Sequence, residues 1–229
     1  MTKGLIFDLD GVIVDTANYH YIAWKKLSNE IGIDFDKGFN HLLKGISRIE
    51  SLELILSHGN KSDVYSTDEK KSLTETKNKY YLELLNNITP KDILPGVLDL
   101  IEQANNNHIP CAIASASENA PTILEKLGIK HYFKAIVDPK TLKKGKPDPE
   151  IFLRAAEFIH IPPHLCIGFE DSIAGIQSIK QAGMYAIGVT ADGPLPEADL
   201  AVHSLTEIDI HSLFLIKKHG DNKPPLFPI

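Results

Sequence analysis

The feature that most constrains the fold of this chain is a set of short apolar runs at residues 5–7, 109–115, 135–137, 165–169 and 185–189. Runs this short that are apolar throughout, rather than alternating, read as strands of a parallel sheet covered on both faces. Helical sequence separates the later runs, at residues 97–107, 121–127 and 172–182, with Gly128 and Gly183 as stops. A further helix is expected to start with Asp148 as N-cap and Pro149 in its first turn. Strands alternating with helices imply an α/β fold with a right-handed, doubly wound parallel (Rossmann-like) sheet. Such sheets bind ligands beyond the carboxyl ends of their strands.

One stretch breaks the alternation. Residues 15–90 contain no strand-like run. Tyr19, Ala23, Leu27 and Ile31 recur every four residues along one helix face, up to Gly32. Ser47 and Glu50 form a capping box that opens a second helix running to Gly59, and a polar third helix is expected over about residues 68–87. The expectation is an all-helical cap (15–90) inserted into a catalytic core (1–14 and 91–216), with a polar, Pro-rich tail (217–229). The net charge of −6 argues against a general nucleic-acid binder but leaves an anionic substrate open. No run is long enough to span a membrane, and the N-terminus has no signal-peptide pattern. Cys111 and Cys166 each sit inside an apolar stretch and read as buried, reduced thiols of a cytoplasmic protein.

Four polar clusters follow these runs. Asp8-Leu9-Asp10-Gly11 places two carboxylates two residues apart at a strand end, where one can act as nucleophile or metal ligand and the other as acid and base. The alternative is an ordinary solvated turn. Glu170-Asp171 suits a hard divalent cation, or else complements the dipole of the next helix. Ser115-Ala116-Ser117-Glu118-Asn119 offers hydroxyls and backbone NH groups to a phosphate, or simply caps a helix. Lys146, before Pro147, can neutralise a phosphoryl group and its surrounding carboxylates, or lie in a basic surface loop. Each cluster alone has its plain reading. Together they make up the inventory of phosphoryl transfer.

In order and identity, Asp8-x-Asp10-Gly11, Ser115, Lys146 and Glu170-Asp171 resemble the four motifs of the haloacid dehalogenase superfamily, and the helical insertion resembles its mobile cap. The chain is further similar to the sugar-phosphate mutases of that superfamily. That similarity lies in Asp15-Thr16-Ala17, His20, Ala23-Trp24-Lys25, Leu43-Lys44-Gly45-Ile46-Ser47-Arg48, Ser51, Lys77-Asn78 and the run from Phe169 to Ile176. The resemblance implies interconversion of beta-glucose 1-phosphate and glucose 6-phosphate through a bound bisphosphate, with a sugar-phosphate phosphatase as the alternative. It implies Asp8 as nucleophile, Asp10 as acid and base, and Thr16 and His20 as couplers of cap closure to Asp10. It also implies Ser115 and Lys146 on the transferring phosphoryl group, and magnesium on the side chains of Asp8, Glu170 and Asp171 and the main-chain carbonyl of Asp10. Arg48 would grip the other phosphate, with Trp24, Lys44, Gly45, Ile46, Ser51 and Lys77 on the sugar side and Ala116, Ser117, Glu118 and Asn119 along the cradle. Glu118 departs from the pattern, which has lysine there. The implied partner is a small phosphorylated sugar, bound by a monomer, with no nucleic acid or membrane involved.

Overall fold

The computed structural model describes residues 3–190 and 193–214, so the expected tail lies outside the described residues. Six parallel strands run in the order β3-β2-β1-β4-β5-β6: β1 Gly4–Phe7, β2 Cys111–Ile113, β3 Phe133–Ile136, β4 Cys166–Glu170, β5 Tyr185–Val189 and β6 Leu200–Val202. From β1 the order runs outward one way through β2 and β3, and the other way through β4, β5 and β6. The switch point therefore falls between β1 and β4.

The period of two along each strand assigns its side chains to two layers. Leu5, Phe7, Cys111, Ile113, Ile167 and Phe169 face α5 (Val97–Asn106), α6 (Ala120–Lys126) and α9 (Ile210–Phe214). Ile6, Ala112, Cys166 and Ala186 face α7 (Glu150–Phe158) and α8 (Ile173–Gln181). Strand β6 was not expected: it is a three-residue edge strand with one residue exposed, too short and too wet to stand out as an apolar run. Helix α7 starts one residue later than expected, at Glu150: the Asp148 carboxylate accepts from the Glu150 NH as a cap would, but its carbonyl takes the Ser178 hydroxyl and Pro149 supplies the first helical carbonyl, to Leu153 NH at 3.0 Å.

Between β1 and α5 lie α1 (Ala17–Glu30), α2 (Lys37–Asn40), α3 (Arg48–His58) and α4 (Thr67–Leu85), with no strand among the described residues there. The Ser47–Glu50 capping box forms as expected, and a second one, Ser66 with Glu69, starts α4. Trp24, Leu27, Ile33, Phe35, Leu52, Ile55 and Leu56 form a separate small core. Tyr81 and Leu85, near the end of α4, join the sheet-side core instead. The two chain crossings touch: Val14 bridges to Ile93, and Leu94 N donates to Ile13 O at 2.9 Å. No described helix is long and apolar enough to cross a membrane.

Small residues on one sheet face let α8 approach closely. A Cβ on Gly168 would stand 2.7 Å from Ile179 Cδ1, and Ile179 is fully buried. Gly168→Ala should therefore reduce unfolding free energy by about 1–3 kcal/mol in chemical denaturation, with the m-value unchanged. A loss below about 0.5 kcal/mol would show that Ile179 yields without strain.

Candidate active site

Parallel pairing of β1 with β4 puts Phe7 opposite Phe169, with the two rings stacked at 4.5 Å. The residues that follow, Asp8 and Glu170-Asp171, therefore emerge side by side at the switch point. Carboxylate oxygens of Asp8, Glu170 and Asp171 all lie within 4.8 Å of one another. Lys146 Nζ reaches into this group, 2.6 Å from Asp8 Oδ1 and 2.7 Å from Glu170 Oε2, and its side chain is fully buried. The other Glu170 oxygen accepts from the Asp171 and Ser172 NH groups at 3.2 Å and from the Ser172 hydroxyl at 2.8 Å. Burial works against the Lys146 charge, but Asp8 and Glu170 outweigh it and hold its pKa above the ordinary lysine value. Burial, reinforced by Glu170, pushes Asp8 well above the usual carboxylate range and Asp171 up to about 7. Three crowded carboxylates offering only oxygen donors fit a hard divalent cation, whose charge would relieve the repulsion that raises Asp8 and Asp171.

The turn after Asp8 is closed by Gly11 N donating to Val14 O at 2.8 Å. Gly11 has φ +82°, and a Cβ there would overlap the Asp171 carboxylate, so only glycine fits. Asp10 faces the cleft and accepts a hydrogen bond from the Thr16 hydroxyl. Thr16 is the N-cap residue of α1 but makes no side-chain cap there, which forgoes a contribution of about 1 kcal/mol to place the hydroxyl on Asp10. Burial raises the Asp10 pKa above its ordinary value, with Thr16 opposing. Ser115 accepts from Ser117 N at 3.0 Å, and Ser117 accepts from Asn119 N at 3.3 Å. Each hydroxyl thus keeps its own proton to donate elsewhere.

The helical unit closes over this face. Lys44 Nζ lies 3.5 Å from Asp171 Oδ2, and Arg48 Nη2 lies 3.3 Å from Glu118 Oε2. Asn119 donates to Asn78 at 2.9 Å, and a Cβ on Gly45 (φ +77°) would stand 2.4 Å from Ser172 Oγ. The cleft between the two parts measures about 1450 Å³ and opens to solvent. Asp8, Asp10, Ser115, Lys146 and Asp171 line it from the sheet side, together with the 116–119 loop. His20, Trp24, Ile46, Arg48, Ser51 and Lys77 line it from the helical side, beside Lys44 and Gly45. Thr16 and Glu170 do not line it. Both are fully buried and act on it through Asp10 and Lys146.

A family model described as haloacid dehalogenase-like hydrolase matches residues 2–183. The chain belongs to the haloacid dehalogenase-like hydrolase family. It is 49% identical over 211 residues to a beta-phosphoglucomutase of Bacillus subtilis (strain 168), covering 92% of this chain and 93% of that protein. The crystal structure of a beta-phosphoglucomutase from Clostridium difficile superposes with a TM-score of 0.91 at 46% identity, over 93% of this chain and 96% of that one. A fructose-1-phosphate phosphatase of Escherichia coli (strain K12) is 32% identical over 81% of this chain and 95% of its own length. Mutases of the haloacid dehalogenase-like family generally use a metal ion, in keeping with the acidic cluster found here.

Two residues of this haloacid dehalogenase-like site were not singled out from the sequence. Tyr81 stacks on His20 with ring centroids 4.1 Å apart, and its i+4 spacing from Lys77 on α4 was the available signal. Lys140, 3.1 Å from Glu118, had none, since it is brought in by the turn after β3. Lys77 is the outlier of the helical unit: it lies on the polar helix α4, yet it is 2% exposed. Its ammonium lies 2.9 Å from His20 Nδ1 and over the rings of Trp24 (4.8 Å) and Tyr81 (4.7 Å). Burial, with Lys77 and Arg48 nearby, keeps His20 well below the ordinary histidine value, so the ring is neutral. A charged Lys77 can only donate, which places the His20 proton on Nε2, 4.0 Å from Asp10 Oδ1.

Burial and Arg48 push the Lys77 pKa down to about 7 from its ordinary 10.5. Between those values the unfolded chain binds more protons than the folded one. The destabilisation is therefore full below pH 7 and fades as the pH rises toward 10.5. Lys77→Met should raise unfolding free energy by about 1–3 kcal/mol at pH 6, and progressively less toward pH 10. No gain at pH 6, or a gain flat across that range, would show that the two rings and His20 fully replace the lost hydration.

Proposed function

We infer that this protein is a beta-phosphoglucomutase, interconverting beta-D-glucose 1-phosphate and glucose 6-phosphate. The observation that carries this reading is the end-to-end likeness to the Bacillus subtilis enzyme, which spans the helical unit as well as the sheet. The sheet-side chemistry serves any phosphate ester, whereas the surface facing the rest of the substrate comes from residues 15–90, which we read as the cap. The substrate is a phosphorylated sugar. The reducing cytoplasm fits the two free, buried cysteines, and a monomer suffices because one chain supplies the whole cleft.

In this reading Asp8 carries a phosphoryl group as an acyl phosphate. The 6-hydroxyl of beta-glucose 1-phosphate attacks that phosphorus and gives its proton to Asp10, while the bond to the Asp8 oxygen breaks. The resulting 1,6-bisphosphate turns over in the cleft. Asp8 then attacks the 1-phosphate, Asp10 returns the proton to the departing C1 oxygen, and glucose 6-phosphate leaves. Thr16 and the neutral His20 hold Asp10 over the reacting atoms only when the helical unit is closed. Lys146 and the Ser115 hydroxyl hold the phosphoryl oxygens, and Arg48 takes the phosphate at the far end of the sugar, where a guanidinium suits bidentate contact. Lys44, Gly45, Ile46, Ser51, Trp24 and Lys77 shape the sugar side. A magnesium ion held by the side chains of Asp8, Glu170 and Asp171 and by the main-chain carbonyl of Asp10 would offset charge on the transferring group and leave the Asp10 carboxylate free for proton transfer.

The purified protein, primed with a small phosphoryl donor and supplied with magnesium, should convert beta-glucose 1-phosphate to glucose 6-phosphate without matching release of inorganic phosphate. A chelator should abolish turnover and magnesium restore it. Stoichiometric phosphate release would instead establish a phosphatase, and full activity in metal-free buffer would reject the metal assignment. Asp10→Asn should fold normally and keep magnesium affinity while losing on the order of 100- to 10,000-fold in turnover, the usual range for a general acid–base group. A variant within about twofold of the wild type would remove Asp10 from the proton-transfer role.

A further inference from the structure

Glu118 stands between two cations from different parts of the fold. Arg48 Nη2, in the first turn of α3, lies 3.3 Å from its Oε2, and Lys140 Nζ, in the turn after β3, lies 3.1 Å from the same oxygen. All three residues line the cleft. The Glu118 carboxylate does not hold its own loop together, because the loop is fastened by Ser115 and Ser117 hydroxyls accepting backbone NH groups. Nor are these pairs strong staples. The Glu118 side chain is 32% exposed and that of Lys140 is 67% exposed, so water screens both contacts. The result is an internal anion, weakly held, on the guanidinium assigned above to the distal phosphate.

A phosphate dianion outcompetes a single carboxylate for such a pair of cations. It carries twice the charge and offers three oxygens, enough for a bidentate guanidinium and an ammonium together. We propose that Glu118 is an internal stand-in for the distal phosphate of the sugar: it occupies Arg48 across the closed cleft until that phosphate displaces it, and Lys140 then joins Arg48 as a second cation on the phosphate. This rests on the reading of Arg48 given above. The exchange needs little motion, since Glu118 already has an open path to water. It also selects substrate, because a sugar without a distal phosphate has nothing with which to displace the carboxylate. Lys140 becomes part of the phosphate subsite, and Glu118 sets the affinity that a ligand must exceed.

The test is calorimetric titration of glucose 6-phosphate, with magnesium present, into the wild type, Glu118→Gln and Lys140→Ala. Glu118→Gln should bind roughly 2- to 5-fold more tightly, because the amide no longer competes for Arg48, and Lys140→Ala roughly 2- to 5-fold more weakly. The opposite signs are diagnostic, since a carboxylate that merely orders the loop or positions Arg48 would weaken binding when removed. Glu118→Ala repeats the first arm without an amide to hydrogen-bond Arg48, and thermal unfolding checks that each variant is folded. Weaker or unchanged binding in both Glu118 variants, or unchanged binding in Lys140→Ala, overturns the proposal. Conversion of beta-glucose 1-phosphate by the wild type is scored separately. Its absence would reject the mutase reading, whereas the opposed shifts report phosphate capture itself.

Discussion

The Lys146 ammonium, 2.6 Å from Asp8 and 2.7 Å from Glu170 and shut away from water, is the contact on which the arrangement at the switch point depends. The problem it solves is created by the sheet. Pairing β1 with β4 in the register Phe7–Phe169 brings the next residues of both strands, all acidic, into one buried place. Charges of one sign in a medium of low polarity would protonate or push the strands apart. One ammonium placed between two of the carboxylates offsets part of that repulsion and leaves a net negative cradle, which a divalent cation and a phosphoryl group can share. Removing one partner of such a buried pair is far more damaging than the modest stability the intact pair supplies.

A second dependence runs through the double crossing between the sheet and the helical unit. The chain leaves near Val14 and returns near Ile93, and the two segments are bonded to each other. Asp10 sits just before this crossing and Thr16 just after it, joined by a hydrogen bond that takes the place of a helix cap. Beyond Thr16, the partly exposed His20 packs with the buried Lys77, Tyr81 and Trp24 in one cluster. In the proposed mechanism, movement of the helical unit would carry Asp10 with it through Thr16. Such coupling suits an enzyme whose acyl phosphate must react with a sugar hydroxyl rather than with water.

The proposed division of labour is compatible with the spread of the relatives. The Escherichia coli phosphatase shares about a third of its residues with this chain, and the Bacillus subtilis mutase about half. Both fit a common sheet-side apparatus for attacking a phosphate ester. In the proposed function the helical surface, which lines the other side of the cleft, is the part that would select which ester enters and what accepts the phosphoryl group. Glu118 belongs to the sheet side but faces the helical side, so it sits where those two functions meet.

Much of this was legible in the chain itself. Apolar runs too short for helices dictated a parallel sheet, and a strand-free stretch dictated the helical insertion. Because a parallel strand delivers its next residue to one edge of the sheet, Asp8, Ser115 and Glu170-Asp171 could be assigned to a common edge before any coordinates. Ser47 with Glu50 located the helix that carries Arg48, since a capping box is a local interaction between residues three apart. What the sequence could not set is every relation that depends on distance through space. Lys146 looks like one lysine among several in a basic loop until the fold seals it between Asp8 and Glu170. Lys77 lies on a polar helix, and only the closing of α4 on α1 buries it against Trp24 and His20. Glu118 and Lys140 are 22 residues apart in the chain and meet Arg48 across the cleft. Local pattern specifies which elements form, because their hydrogen bonds and caps are made within a few residues. Burial, charge pairing and pKa arise from contacts between elements, and those were decided by the tertiary structure.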